Sequence, residues 1–471
     1  MSVLLVVAIA ISFGGCREDL GVELPPDVQR TEVKYAEFDL DINSVYLDSL
    51  RTDKAGVVLA GSFTEPKLGK VETTGFAEFN YSSGFIANDF IWVRETGRTD
   101  SLAEITFEKM EVNLRINEVF TNEFFIDQQL ELWALTDSIF NTGIYLSNRT
   151  IGTSDLVGTA QIDIPNLNPV DFAEDTVVVN VELSQSYGES FLADFKKYGV
   201  DFRPLGLAFK STNGNQLVSY DILDDTTEVI FTMRANVYDT AGIATLTGDT
   251  LITTTFKFSS FNHFTGVVRD RSGSAIATAQ DSEIIDIDPD YAYISPTAGI
   301  YPKIELDEFR EFAEMESNIL FNRVELRYDT EDYVGHLEPI YAMLYYLTKD
   351  NANKISVDWP AILSFPDKFN VLMQSDASIT RQRDLPEYHY FDTLSTTTIG
   401  YKGTPTLFFQ YHYNNIRDDL DNIKDDRRTL LQQWMLDVDD LLIKNVESLP
   451  TGRQAIPKNS LKLRIYYSQK R

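Results

Sequence analysis

The sequence has 471 residues, and its 41 Lys and Arg against 72 Asp and Glu give a net charge of −31. This charge argues against binding to nucleic acid through its phosphates and against docking on anionic lipid, because both interactions need clustered basic residues. The chain is 43% hydrophobic and 12% aromatic, which predicts folded cores in two or three domains. Its single cysteine excludes internal disulfides and cysteine-rich metal sites.

The N-terminus predicts a lipid anchor. Residues 1–15 form an apolar stretch of signal-peptide length, too short to cross a bilayer, and Gly14 and Gly15 precede Cys16. This pattern is typical of bacterial lipoproteins, in which cleavage before the cysteine is coupled to attachment of a diacylglycerol to its sulfur. Phe13 and the lack of Lys or Arg before the apolar run depart from the pattern, and a soluble chain with an incidental thiol is the alternative. We predict Cys16 as the lipid attachment site.

The residues after the cysteine predict export to the cell surface. Arg17, Glu18 and Asp19 resemble the surface-export signal of Bacteroidota lipoproteins, with retention on the periplasmic face as the alternative. Residues 16–31 contain two prolines and predict an extended tether. We therefore expect a lipid-anchored outer-membrane protein that faces the cell exterior.

Strand periodicity dominates residues 32–261, which we predict to form an N-terminal β-rich domain. Val112, Leu114 and Ile116 alternate with polar residues, as in a half-buried strand. Further strands are predicted at residues 130–134, 177–183, 205–209, 229–237 and 253–258. Turns rich in Gly, Asn and Asp separate these strands, and one short helix is predicted at residues 192–198. The spacing predicts a mainly β fold of the antiparallel β-sandwich type.

Residues 262–471 predict a second β-rich domain that also contains helices. One helix is predicted over Asp307–Met315. A long amphipathic helix is predicted over about 414–446, where apolar residues recur every three or four positions and acidic residues occupy the opposite face. We expect this helix to pack on the body, and a partner-binding surface is the alternative. Strands are predicted at residues 291–294, 303–306, 324–328, 340–347 and 461–467.

Three segments resemble a known family. They read GSFTEPKLG at residues 61–69, YAYI followed by GIYPKI within residues 291–304, and LKLRIYY at residues 461–467. Together with the lipoprotein N-terminus, they resemble the Bacteroidota lipoprotein family catalogued as domain of unknown function 4270, over nearly the whole mature chain. The resemblance implies an outer-membrane lipoprotein and brings no catalytic residue or cofactor with it.

The sequence lacks the usual signatures of catalysis. It contains no G-x-S-x-G elbow, no H-E-x-x-H pair and no phosphate-binding glycine loop. His263, His336, His389 and His412 are far apart, and two of them lie among aromatic residues. A buried structural imidazole is favoured there over a base or a ligand, so we expect neither an enzyme nor a cofactor.

One acidic segment is a candidate calcium site. Asp286, Asp288 and Asp290 stand at alternate positions, as carboxylates do in loops that bind hard cations. Tyr291 and Thr297 occupy the positions where such a loop has its glycine and its final glutamate. A solvated strand edge or turn is therefore the favoured interpretation.

Three functional classes remain from the sequence. The first is a non-enzymatic accessory or scaffolding subunit beside an outer-membrane β-barrel protein, and the second is a glycan-binding or adhesin-type surface lipoprotein. The third is an unrecognised hydrolase.

A set of tyrosines could form a sugar platform, although alternating aromatic strands produce the same enrichment. The tyrosines of this set are Tyr341, Tyr345, Tyr346, Tyr388, Tyr390, Tyr411 and Tyr413.

Overall fold

Three antiparallel sheets and three helices make up the part of the chain that the computed structural model describes. The described residues are 31–48, 52–80, 105–121, 128–140, 145–163, 177–198, 202–238, 246–281, 283–331, 342–349, 355–357, 389–392, 398–403, 406–420, 438–445 and 454–470. The helices are α1 (Gln185–Tyr198), α2 (Asp307–Met315) and α3 (Thr406–Leu420). The strands are β1 (Thr31–Asp39), β2 (Ile42–Tyr46), β3 (Val57–Glu65), β4 (Gly69–Asn80), β5 (Thr106–Thr121), β6 (Gln128–Leu135), β7 (Thr153–Ile162), β8 (Val178–Glu182), β9 (Leu207–Ser211), β10 (Gln216–Asp221), β11 (Glu228–Tyr238), β12 (Leu246–Asp270), β13 (Glu283–Ile285), β14 (Tyr291–Ile294), β15 (Ile300–Ile304), β16 (Ile319–Glu331), β17 (Ala342–Lys349), β18 (Ile355–Val357), β19 (His389–Asp392), β20 (Thr398–Gly403), β21 (Val438–Asn445), β22 (Gln454–Pro457) and β23 (Lys462–Lys470).

The ten-stranded sheet has the order β12-β11-β5-β10-β3-β4-β9-β6-β7, with β8 on β5. The first part of β12 pairs with β11 and its second part pairs with β4, so the sheet folds back on itself. In β5, Val112 and Leu114 are fully buried in the enclosed core, as their alternation with polar residues predicts. The predicted mainly β, antiparallel fold is confirmed.

The seven-stranded sheet carries two of the helices. Its order is β1-β23-β16-β20-β19, and β22 joins β16 to β14. Helices α2 and α3 pack through Phe309 and Phe409, whose ring centroids are 4.8 Å apart, into a core shared with β16 and β23. The six-stranded sheet has the order β13-β2-β15-β21-β17-β18.

The predicted long helix over about 414–446 is wrong at its C-terminal end. Helix α3 covers Thr406–Leu420, residues 421–437 lie outside the described part of the chain, and Val438–Asn445 is strand β21. Three consecutive apolar residues in β21 fit a strand inside a sheet as well as they fit a helix. Pairing with β15 and β17 decides the outcome in favour of the strand.

Strand β12 crosses the domain boundary predicted between residues 261 and 262. Residues 259–262 contain two serines and an asparagine and suggest a turn, yet they form a bulge within one continuous strand. Phe258 pairs with Phe79 and His263 pairs with Ala77, so four residues of β12 stand opposite a single residue of β4 and the strand bends there. The strands β1 and β2, which precede this boundary, pair with β23 and β15 beyond it.

Arg269 of β12 ties the sheets together near their junction. Its Nε donates to the carbonyl of Thr297, between β14 and β15, at 2.6 Å. Its guanidinium also donates to the carbonyl of Asp48, just after β2, and to the hydroxyl of Ser147 at 3.4 Å. One side chain therefore links the ten-stranded sheet to segments of the other two sheets.

Candidate functional site

His263 is a structural residue. It is fully buried, its Nε2 lies 2.8 Å from the backbone N–H of Gly56, and its Nδ1 lies 3.0 Å from the carbonyl oxygen of Ser259. Because an N–H only donates and a carbonyl only accepts, the ring proton is on Nδ1 and both nitrogens are satisfied. Burial lowers the pKa of the imidazole, so His263 stays neutral and holds the bulge of β12 against the start of β3.

The other histidines form no shared site in the described part of the chain. His412 of α3 is buried with its ring nearly parallel to that of Phe309, at 5.7 Å between centroids. Burial, aided by the charge of Arg310, lowers its pKa to about 4. His336 and the side chain of His389 lie outside the described residues. The imidazoles that can be placed are therefore core residues, as their aromatic surroundings predict.

The candidate calcium segment is engaged with lysines instead. Asp288 pairs with Lys67, whose ammonium lowers the pKa of that carboxyl to about 2. Asp286 pairs with Lys458 at 2.8 Å, and the backbone N–H of Asp290 donates to the Asp288 carboxylate at 2.9 Å. Within the described ranges, no group of three or more His, Cys, Asp or Glu side chains is arranged to hold a metal ion. Two of the three carboxylates, those of Asp286 and Asp288, are thus held in ion pairs with lysines.

A buried carboxyl that could suggest a hydrolase is also structural. Glu78 accepts hydrogen bonds from the backbone N–H of Ile139 and from the side-chain amide of Asn262, the latter at 2.6 Å. Burial raises the pKa of Glu78. The two carboxylate oxygens of Glu78 hold the segments around Ile139 and Asn262. Glu78 lies outside the lining of the cleft beside α1.

The site that the sequence analysis missed is a cleft of about 800 Å³ between α1, the start of β7 and residues 202–205. We call it the α1 cleft. The N–H of Ser184 donates to the carbonyl of Val157 at 2.6 Å, which brings the helix start beside β7. The apolar lining consists of Ala134, Leu135, Leu156, Val157, Phe191, Phe202, Pro204 and Leu205. The polar lining consists of Ser154, Asp155, Ser184, Ser186, Tyr187, Ser190, Asp194, Tyr198 and Arg203.

Helix α1 is fixed tightly on the sheet below it. Ser184 caps its first turn, since its hydroxyl accepts from the N–H of Tyr187 at 3.4 Å and its carbonyl accepts from Gly188 at 3.1 Å. A Cβ at Gly188 would lie 2.1 Å from the ring of Phe107 on β5, so only glycine allows this approach. The ring of Phe191 packs edge-on against Phe202 at 5.0 Å between centroids. The cleft therefore has a rigid apolar floor.

Tyr187 is the notable polar group of the α1 cleft. Its ring packs beside Phe191 at 6.5 Å between centroids, and burial raises the pKa of its hydroxyl. Among the described residues, none forms a hydrogen bond with this hydroxyl. Tyr187 is only half-buried, so water can reach its hydroxyl, and the cleft offers a donor and acceptor that no described residue occupies.

The charge of the α1 cleft is close to neutral. Asp155 and Asp194 against Arg203 give its lining a formal charge of −1. Arg203 donates from its guanidinium to the carbonyl of Phe202 at 2.8 Å, which orients it along the loop. The local signal that could have revealed the site is the polar run at residues 184–190, which contains three serines and a tyrosine.

The predicted anchor and tyrosine platform lie largely outside what can be described. Cys16 and the export signal of Arg17, Glu18 and Asp19 fall outside the described residues. Of the predicted tyrosine platform, Tyr413 is buried, and the side chains of the other six lie outside the described part. Within that part, no helix is both long enough and apolar enough to span a bilayer.

Comparisons with models of known protein families, with curated proteins and with solved structures give no match. The resemblance to the family of domain of unknown function 4270 stays a prediction from the sequence. The described features that bear on function are the α1 cleft and the edge of the seven-stranded sheet.

Proposed function

We propose that the protein is an outer-membrane lipoprotein that acts as a non-enzymatic accessory or scaffolding subunit of an outer-membrane assembly. It is anchored through a lipid on Cys16 and exposed at the cell surface. The apolar stretch before Cys16 and the Arg-Glu-Asp sequence after it support the anchor and the export. The partner is an outer-membrane β-barrel protein.

The observation that carries this proposal is the exposed edge of the seven-stranded sheet. Strand β1 is an edge strand that pairs only with β23 among the described strands. Val33 and Tyr35 project from β1 with 71% and 51% of their surfaces exposed, and Leu320 of β16 is 62% exposed. Val33 and Leu320 both lie opposite Ser468, so they share one face of the sheet. We call Val33, Tyr35 and Leu320 the edge patch.

The position of the edge patch relative to the anchor suits a membrane partner. The chain from Cys16 to Thr31 can span at most roughly 50 Å when fully extended. The edge patch therefore stays within reach of the extramembrane parts of an outer-membrane protein. Exposed strand edges with apolar side chains pair readily with a strand from another chain.

Mild detergent extraction followed by a native pull-down tests the proposal. We expect the protein to be recovered with a β-barrel protein in fixed stoichiometry. A variant with Val33→Lys and Tyr35→Lys should lose that partner, whereas Leu251→Lys, at a 54% exposed position on β12, should retain it. Recovery of the wild-type protein as a single species, or unchanged recovery with the edge variant, would contradict the proposal.

The anchor and the topology have their own tests. Cys16→Ala should abolish acyl labelling and release the protein in soluble form. Protease added to intact cells should digest the wild-type protein. Complete protection would contradict surface exposure but would leave the anchor in place.

A second candidate function is glycan binding at the cell surface. One observation favours it, the α1 cleft with its apolar floor and hydroxyl-rich lining. Small-molecule sites commonly combine such an apolar surface with a few polar groups that fix orientation.

A further inference from the structure

We propose that the α1 cleft binds a neutral oligosaccharide. This inference rests on the second candidate function, for which it names the site and the chemical class of the ligand. It requires no partner protein and no membrane.

The dimensions and the surface chemistry of the cleft match this ligand class. A volume of about 800 Å³ lies within the range of small-molecule sites, roughly 300–1,000 Å³. Apolar surface comes from Leu156, which is 43% exposed, and from the small exposed fractions of Phe191 and Phe202, 6% each. Ser154 and Ser190 supply hydroxyls at exposed positions. A pyranose ring has an apolar C–H face bordered by hydroxyl groups, so both parts of the lining meet a matching part of the sugar.

Tyr187 gives the cleft its strongest preference for a hydroxylated ligand. Tyr187 is half-buried beside the ring of Phe191, and its hydroxyl forms no hydrogen bond with a described residue. A phenol hydroxyl both donates and accepts, as a sugar hydroxyl does. A ligand hydroxyl beside it would replace the water that reaches this group and would fix the orientation of the sugar.

The charge of the cleft and of the whole chain disfavours an anionic ligand. Asp155 and Asp194 face a single Arg203, and the whole chain carries −31, so phosphorylated, sulfated or uronic sugars are repelled. Lys197 acts on Asp194 through its charge and stacks over the ring of Tyr198 at 4.6 Å from the centroid. Carboxylates and serines remain as acceptors for the hydroxyls of an uncharged sugar.

The test is a calorimetric titration of the purified full mature chain, held in a detergent without a sugar headgroup. The probes are cellohexaose, maltoheptaose, xylohexaose and mannohexaose, with oligogalacturonate as the anionic and chitosan oligomers as the cationic comparator. We expect saturable binding of at least one neutral probe and weaker binding of the anionic comparator. We also expect that probe to slow amide hydrogen exchange in α1.

Two variants and a matched control connect binding to the cleft. Tyr187→Phe should weaken binding about fivefold by removing one hydrogen bond, while leaving the melting temperature of the free protein unchanged or higher. Tyr198→Ala should weaken binding by a similar factor through lost ring contact. Tyr35→Ala removes a ring of matched exposure, 51% against 48%, and should not affect binding.

Each contrary outcome overturns a defined statement. No binding of any neutral probe would overturn both the ligand assignment and the second candidate function. Binding that neither cleft variant changes, or that leaves exchange in α1 unaltered, would place the sugar elsewhere and overturn the cleft assignment alone. Binding of only a charged comparator would overturn the ligand class. The co-purification experiment tests the first proposed function separately from all of these.

Discussion

Replacing His412 with asparagine is expected to flatten the pH dependence of the protein's stability in mild acid. His412 is 5% exposed on α3, and burial followed by the charge of Arg310 lowers its pKa from 6.5 to about 4. In the unfolded chain, the imidazole of His412 takes up a proton below pH 6.5. In the folded chain, the same imidazole takes up its proton only near pH 4. The folded state therefore binds fewer protons in this window and loses stability as the pH falls. At about 1.36 kcal/mol per pKa unit, the difference between the unfolded-state and folded-state pKa values of His412 corresponds to about 3 kcal/mol of stability. About 2.5 kcal/mol of this stability is lost by pH 4.5.

The measurement is the free energy of unfolding in urea at pH 7.5 and pH 4.5, followed by circular dichroism. The difference between the two pH values should be smaller by about 2.5 kcal/mol in His412→Asn than in the wild type. Tyr413→Phe is the matched control on the same helix. It removes a hydroxyl that donates to the carbonyl of Glu316 at 3.2 Å and should cost about 1 kcal/mol at both pH values. An equal pH dependence in wild type and His412→Asn would refute the reasoning.

Three further substitutions test the packing. Phe191→Ala empties the floor of the α1 cleft and should cost about 3–5 kcal/mol in urea unfolding, whereas Phe140→Ala, at a 69% exposed position, should be nearly neutral. Gly188→Ala forces a Cβ to within 2.1 Å of an aromatic ring and should lower the melting temperature by several degrees, while Ser190→Ala on the exposed side of α1 should not lower it. Arg269→Met leaves two backbone carbonyls without their donor and should cost about 2–4 kcal/mol; a loss in urea unfolding below about 0.5 kcal/mol would show that the arginine does not connect the sheets.

Local periodicity predicted the elements that bury one face against a single core. Helix α2 has the predicted bounds, Asp307–Met315, because Phe309, Phe312 and Ala313 are spaced to face one side. Strand β5 is buried at alternate positions, as Val112 and Leu114 predict. Here the sequence pattern and the tertiary environment require the same conformation.

Tertiary pairing decided two segments whose structure the local sequence does not reveal. Residues 438–445 fit a helical spacing, yet the segment lies between β15 and β17 and is a strand. Residues 259–262 have the composition of a turn, yet hydrogen bonds to His263 and from Asn262 to Glu78 hold them inside β12. The strands that pair with residues 438–445, and the Glu78 side chain that holds Asn262, are distant in sequence, so a local window carries no signal for them.

The α1 cleft was missed for a related reason. Gly188 lowers the helix propensity of residues 185–191, so only the C-terminal half of α1 was predicted. The contact with Phe107 that makes this glycine necessary is 81 positions away in the chain. The opposite wall comes from β7, which reaches the helix start through the bridge between Gly158 and Leu183. The position of this wall depends on the order of the strands in the sheet, which the sequence alone does not provide.

The edge patch and the α1 cleft belong to different sheets, which predicts that their functions separate. Tyr35 lies on β1 of the seven-stranded sheet, and Tyr187 lies on the helix that packs on the ten-stranded sheet. Substitutions at sites without shared contacts are expected to have additive effects on free energy, within about 0.5 kcal/mol. Tyr35→Lys should therefore reduce recovery of the membrane partner without changing sugar affinity, and Tyr187→Phe should do the reverse. The double variant should show both losses at the size of the single ones, measured by pull-down and by calorimetry on the same preparations. If Tyr187→Phe also released the partner, the two surfaces would be coupled, with the junction around Arg269 as the physical route.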